Sequence, residues 1–166
     1  RAKRVDHKQI RRITEHYLKR VDLWSPEAEE LVFLTGLVES GYKYIRQLGE
    51  GPAVSFHQVE PQTAYDVCKN YLSYREKRAK LVTDALYLPD EAINDYSKED
   101  WEEILWSSIG AGIVFCRLVY RRVPKPLPRI DEPIGMAAYW KTWYNTSEGA
   151  GTIDKFLSTI ERRKDQ

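Results

Sequence analysis

A chain of 166 residues, 42% hydrophobic and 31% charged, is long enough for one core of ordinary size and too apolar to be disordered. Its formal net charge of +1 and pI of about 7.9 supply no overall field for nucleic acid, which is therefore disfavoured as a partner. Two cysteines, Cys68 and Cys116, lack CxxC spacing and are too few for a disulfide framework, so neither a metal nor another cofactor is expected.

The periodicity is helical nearly throughout, and the expected class is mainly α, with seven or eight helices in a single domain over residues 1–166. Asp6 can cap a first helix whose apolar stripe is Ile10, Ile13, Tyr17, Leu18 and Val21. This basic N-terminal segment, 1–24, would pack on the rest. Residues 1–20 hold eight basic residues (Arg1, Lys3, Arg4, Lys8, Arg11, Arg12, Lys19, Arg20) against Asp6 and Glu15. That excess reads as a solvated helix face; an anionic surface such as DNA or a cell-wall polymer is the other reading.

Ser25-Pro26-Glu27 opens a second helix, with a capping hydroxyl, proline at the first helical position and acids at the positive dipole end. It runs through Leu31, Phe33, Leu34, Leu37 and Val38 to Glu39. Residues 49–55 form an irregular segment or short hairpin. Pro61 starts a helix through Ala64, Val67, Cys68 and Tyr71, and another covers Tyr74 to Thr83. Ser97-Lys98-Glu99-Asp100 forms a capping box ahead of Trp101, Ile104, Leu105 and Trp106. A buried helix follows from about Ser108 to Arg122. Its run IGAGIVFCRLVY meets Arg117 too early to cross a bilayer, so no membrane span is expected and the chain reads as soluble. VPKPLPRIDEP is an extended linker because its prolines remove amide donors. Met136 to Tyr144 is helical, 145–151 a loop, and Thr152 caps a last helix. The chain starts at Arg1, compatible with a trimmed leader, and holds no signal peptide of its own.

Glu39 is the residue that asks for chemistry. It ends an apolar helix and is followed by Ser40, Gly41, Tyr42 and Tyr44, which predicts a carboxyl at the edge of a core lined by rings. Desolvation there raises a carboxyl pKa, and an acid still protonated near neutral pH can protonate a leaving group. A solvent-facing residue near a helix end is the alternative reading of Glu39 alone.

The surroundings add to this. Glu39-Ser40, then Gly51 to Ala64 (GPAVSFHQVEPQTA), resembles the signature of lytic transglycosylases and goose-type lysozymes. That family carries Glu-Ser at a helix end, a Gly-Leu-Met-Gln-like patch and Pro-x-Thr-Ala opening the next helix. Ser108-Ile109-Gly110-Ala111-Gly112 looks like its Asn-Ile-x-x-Gly helix start. Tyr144-Asn145 with Gly149-Ala150-Gly151 looks like its Tyr-Asn-x-Gly element, lengthened by a few residues. Two departures stand out: Ser55-Phe56-His57-Gln58 replaces Gly-Leu-Met-Gln, and Ser108 replaces Asn. The run WYNTSEGAGTIDKFL also looks like proteins of tailed bacteriophages.

The resemblance implies a lysozyme-like fold with a short irregular or hairpin segment after the catalytic helix. It also implies cleavage of the β-1,4 bond between N-acetylmuramic acid and N-acetylglucosamine. Glu39 would be general acid, then base. Ser40 and Gln58 would bind the N-acetyl group or orient Glu39. Tyr144 would donate to Glu39 or to the sugar, with Asn145 supporting it. Phe56 and His57 would stack on sugar faces or pack in the core. Hydrolysis needs a second acid. Glu60 reads as a helix N-terminal charge and Glu50 as a turn residue, so Glu50 is only a candidate second acid and transglycosylation is favoured. The implied partner is the peptidoglycan glycan strand, with other phage virion proteins as further partners. The implied location is a phage virion or bacterial host cell, with action at the periplasm or cell wall. A lysozyme-like structural or interaction module without activity is the alternative.

Overall fold

The computed structural model describes residues 5–145 and 151–163. The chain is mainly helical, at 66% helix, and the described residues contain no strand. Among the described residues nine α-helices follow one another: α1 His7–Arg20, α2 Pro26–Glu39, α3 Pro61–Asn70, α4 Glu76–Ala85, α5 Ala92–Asp95, α6 Lys98–Ser107, α7 Ile109–Arg121, α8 Pro133–Trp140 and α9 Ile153–Arg163. A 3₁₀ turn, Leu72–Tyr74, precedes α4, and a π-helical turn, Lys141–Asn145, extends α8.

The caps explain most of these boundaries. Asp6 accepts from the Gln9 amide, Ser25 from Ala28 and Ser108 from Ala111, each satisfying an amide that a helix start leaves unpaired. Ser97 and Asp100 complete a reciprocal capping box. Thr152 accepts from Lys155 at the start of α9. Helix α8 begins at Pro133, three residues before the expected Met136, because proline fits the first helical turn. The expected hairpin is reduced to two isolated antiparallel bridges, Arg46 with Val54 and Val54 with Val59.

Helix α7 is buried along nearly its whole length and serves two hydrophobic clusters. Ala111, Val114, Phe115 and Leu118 face α3, α4 and α6, around Trp101, Val67, Leu72 and Val82. Ile113, Cys116 and Tyr120 face α2, α8 and α9, around Phe33, Leu37, Trp140 and Phe156. A helix apolar all round is what a central position requires. No single helix among the described residues is long and apolar enough to cross a membrane. Both thiols are buried, which holds Cys116 above the usual range and pushes Cys68 up to about 12.

Helix α1 packs on α7 and α2. Much of its positive charge is engaged within the molecule. Arg11 pairs with Glu30 and lies over the Phe33 ring, Lys19 pairs with Glu15, and Arg20 donates to the Asp84 carbonyl. Arg1, Lys3 and Arg4 lie outside the described residues.

Candidate active site

Helix α2 ends at Glu39 in a groove of about 390 Å³. One wall comes from the segment after α2, with Tyr44, Gln47, Gln58 and Glu60; the other from the C-terminal elements, with Trp140, Tyr144, Asn145 and Lys155. The Trp140 indole Nε1 donates to Glu39 Oε2 at 2.9 Å. Burial is the main influence on Glu39 and raises its pKa to about 7; the Trp140 bond and the Lys155 ammonium pull the other way without cancelling it. The negative end of the α2 dipole also disfavours the carboxylate. At neutral pH the group is therefore close to half protonated.

The chain end behind Glu39 is bent sharply. Gly41 and Tyr42 both take left-handed backbone angles, φ 63° and 56°. Tyr42 is thereby turned into the core, where its hydroxyl donates to the Phe33 carbonyl. Tyr44 donates instead to the Glu39 main-chain carbonyl at 2.9 Å. Only the second of the two expected rings lines the groove.

Ser40 does not reach the groove. It is buried, accepts from the Tyr42 amide and donates to the Gly36 carbonyl, so its hydroxyl finishes the helix and leaves no hydrogen for a sugar. Phe56 and His57 also turn inward. Phe56 packs edge-on against Tyr42, and His57, 1% exposed, meets Tyr42 from another side. Burial lowers the His57 pKa to about 4, so the ring is neutral at ordinary pH; the Val32 main chain offsets only part of that. Neither residue stacks on a ligand in this groove.

Gln58 lines the groove at φ 52°, its side-chain amide donating to the Ser55 carbonyl at 2.8 Å. Ser55, where the resembled family carries glycine, takes φ 78°. A left-handed angle costs an L-residue roughly 1–2 kcal/mol. The Ser55 hydroxyl accepts from the His57 amide and so supports the turn. Gly112 lets α7 approach this turn, since a Cβ there would meet the Ser55 side chain at 2.7 Å.

Tyr144 stacks on Tyr120, ring centroids 5.2 Å apart, and its hydroxyl donates to the His57 carbonyl at 2.6 Å rather than to Glu39. Asn145 accepts from Lys141 at the groove edge. Gly149 and Ala150 of the third motif lie outside the described residues. Gly151 sits where a Cβ would strike the Trp140 ring at 2.4 Å, so glycine there keeps the indole in place.

Glu50 is exposed on its turn and lies outside the groove, whereas Glu60 lies in it. The second carboxylate of the groove is therefore Glu60, at the start of α3. Trp140, which with Trp143 just before the Tyr144 motif reads from sequence as a groove wall or a packing residue, does line the groove. Its bond to Glu39 and the approach of Lys155, 116 residues downstream of Glu39, are what sequence reasoning missed. Among the described residues no group of three or more His, Cys, Asp or Glu could hold a metal ion. No family model, curated protein or solved structure matches the chain.

Removing the indole donor has a readable consequence. Trp140→Phe keeps most of the ring volume and loses the bond that favours the carboxylate. The Glu39 pKa is expected to rise further, on the order of one unit. A pH titration of Glu39 by carboxyl NMR checks this; an unchanged midpoint would show that the bond carries no weight.

Proposed function

We propose that the chain is a peptidoglycan-cleaving muramidase of lysozyme-like fold, acting as a lytic transglycosylase at the cell wall, in a phage virion or during host lysis. The observation that carries the reading is Glu39: a carboxyl in a groove wall, with its pKa raised to about 7 and one oxygen held by Trp140. That is the state a general acid needs at neutral pH.

Protonated Glu39 gives its proton to the glycosidic oxygen as the anomeric C–O bond breaks, leaving an oxocarbenium-like sugar. The carboxylate so formed takes the proton of that sugar's 6-hydroxyl as its oxygen bonds the anomeric carbon. The acid is regenerated and a 1,6-anhydro ring closes without water. Glu60 in the groove offers the competing course, a base for a water molecule and a hydrolytic product.

A second reading, a wall-binding or virion module without turnover, draws on the hydrogen bonds of Tyr144 and Gln58. Both give donors to main-chain carbonyls rather than to the groove. Mass spectrometry of digested peptidoglycan separates the cases. Anhydro ends are expected. Reducing ends would move the assignment to hydrolysis with Glu60, and bound glycan without product would establish the second reading.

A further inference from the structure

Arg117 lies one turn before the end of α7 and is 8% exposed. Its Nε donates to the Leu23 carbonyl at 3.0 Å. Its two terminal amino groups, carrying four N–H donors, have no hydrogen bond or ion pair to any described residue. The charged side chains that act on Arg117 are Arg121 and Arg78, both cations; burial and Arg121 hold its pKa below the ordinary value. These amino groups reach solvent, so they stand open to an anion from outside the chain.

Arg117 lines a cavity of about 180 Å³, together with Arg121, Lys125, Tyr120 and Tyr139, and no acid lines it. A neighbouring depression of about 540 Å³ shares Arg121 and adds Arg75, Lys77 and Arg78 against Asp22 and Glu76. Six cations against two acids is a strong local concentration in a chain of net charge +1. The α7 dipole explains a cation at Arg121, in the last turn, but not a buried one at Arg117.

We infer that this cavity is an oxyanion site for a phosphate group, with Arg117 as its inner anchor and Arg121 and Lys125 at its mouth. A planar guanidinium presents paired donors to two oxygens of one phosphate. Three cations with no acid suit a doubly charged anion better than a single carboxylate. The cavity shares no lining residue with the Glu39 groove, so the inference stands apart from the proposed activity.

The test is thermal unfolding of the whole chain in millimolar phosphate, acetate or chloride at matched ionic strength. Phosphate is expected to raise the Tm by about 3–6 °C over chloride, and acetate to leave it where chloride does. Arg121→Ala and Lys125→Ala, both at exposed positions, should each reduce the phosphate shift by at least half. Arg117→Met should abolish the shift. If that variant fails to fold, the two mouth variants still decide. Equal Tm in all three salts, an acetate shift as large as that of phosphate, or a full phosphate shift in both mouth variants would overturn the inference.

Discussion

Glu39→Gln is expected to lower the clearing of purified peptidoglycan by about 10²–10⁴-fold while the protein stays folded. Glutamine keeps the shape and still offers an oxygen to the Trp140 indole, so the proton is the main thing lost. Wild-type clearing should itself fall as pH rises through about 7, because the acid form disappears there. Turbidity assays across pH check both statements. Equal clearing by wild type and variant would remove Glu39 from the chemistry.

Stability is the second large effect, and it runs opposite to that of an ordinary salt-bridged carboxylate. The folded-state pKa is raised from 4.5 to about 7. Below 4.5 both folded and unfolded chains carry the proton and Glu39 costs nothing. As pH rises from 4.5 to about 7 the unfolded chain ionises first, so stability is lost. Above 7 the folded chain holds an ionised, buried group, at a cost of about 3 kcal/mol. Glu39→Gln removes that cost. Urea unfolding at about pH 5 and about pH 8 should show the variant gaining on wild type by most of this amount at the higher pH. Curves that stay parallel would mean Glu39 is hydrated in the folded state.

What the sequence made legible was local. Asp6, Ser25-Pro26, the Ser97 box, Ser108 and Thr152 mark helix starts because each cap acts within three residues. Helix α5, four residues long, has too few turns to show a period, and the π-helical turn after Trp140 departs from the period that reveals helices. The desolvated acid at Glu39 was legible from the apolar helix that ends in it. Its partners were not, since nothing near Glu39 in the chain specifies an indole or an ammonium more than a hundred residues away. Phe56 and His57 sit in an irregular turn, where no alternation tells the inner side from the outer. Their inward direction follows from left-handed Ser55 and Gln58, angles that neither residue type announces. Glu60 was readable as a dipole-favoured charge, and only the packing of α3 beside the groove places it in the same groove as Glu39.

The bond from Trp140 to Glu39 also has a consequence for the order of assembly. It joins residues 101 apart, and the Tyr144 bond to the His57 carbonyl joins residues 87 apart. Contacts that distant carry a loop-closure cost that a local helix does not. A nascent chain that ends before α8 carries Glu39 on a helix end with no indole across from it, open to water and holding an ordinary carboxylate. The raised pKa of Glu39 therefore arrives with residues 133 onward, about the last fifth of the sequence.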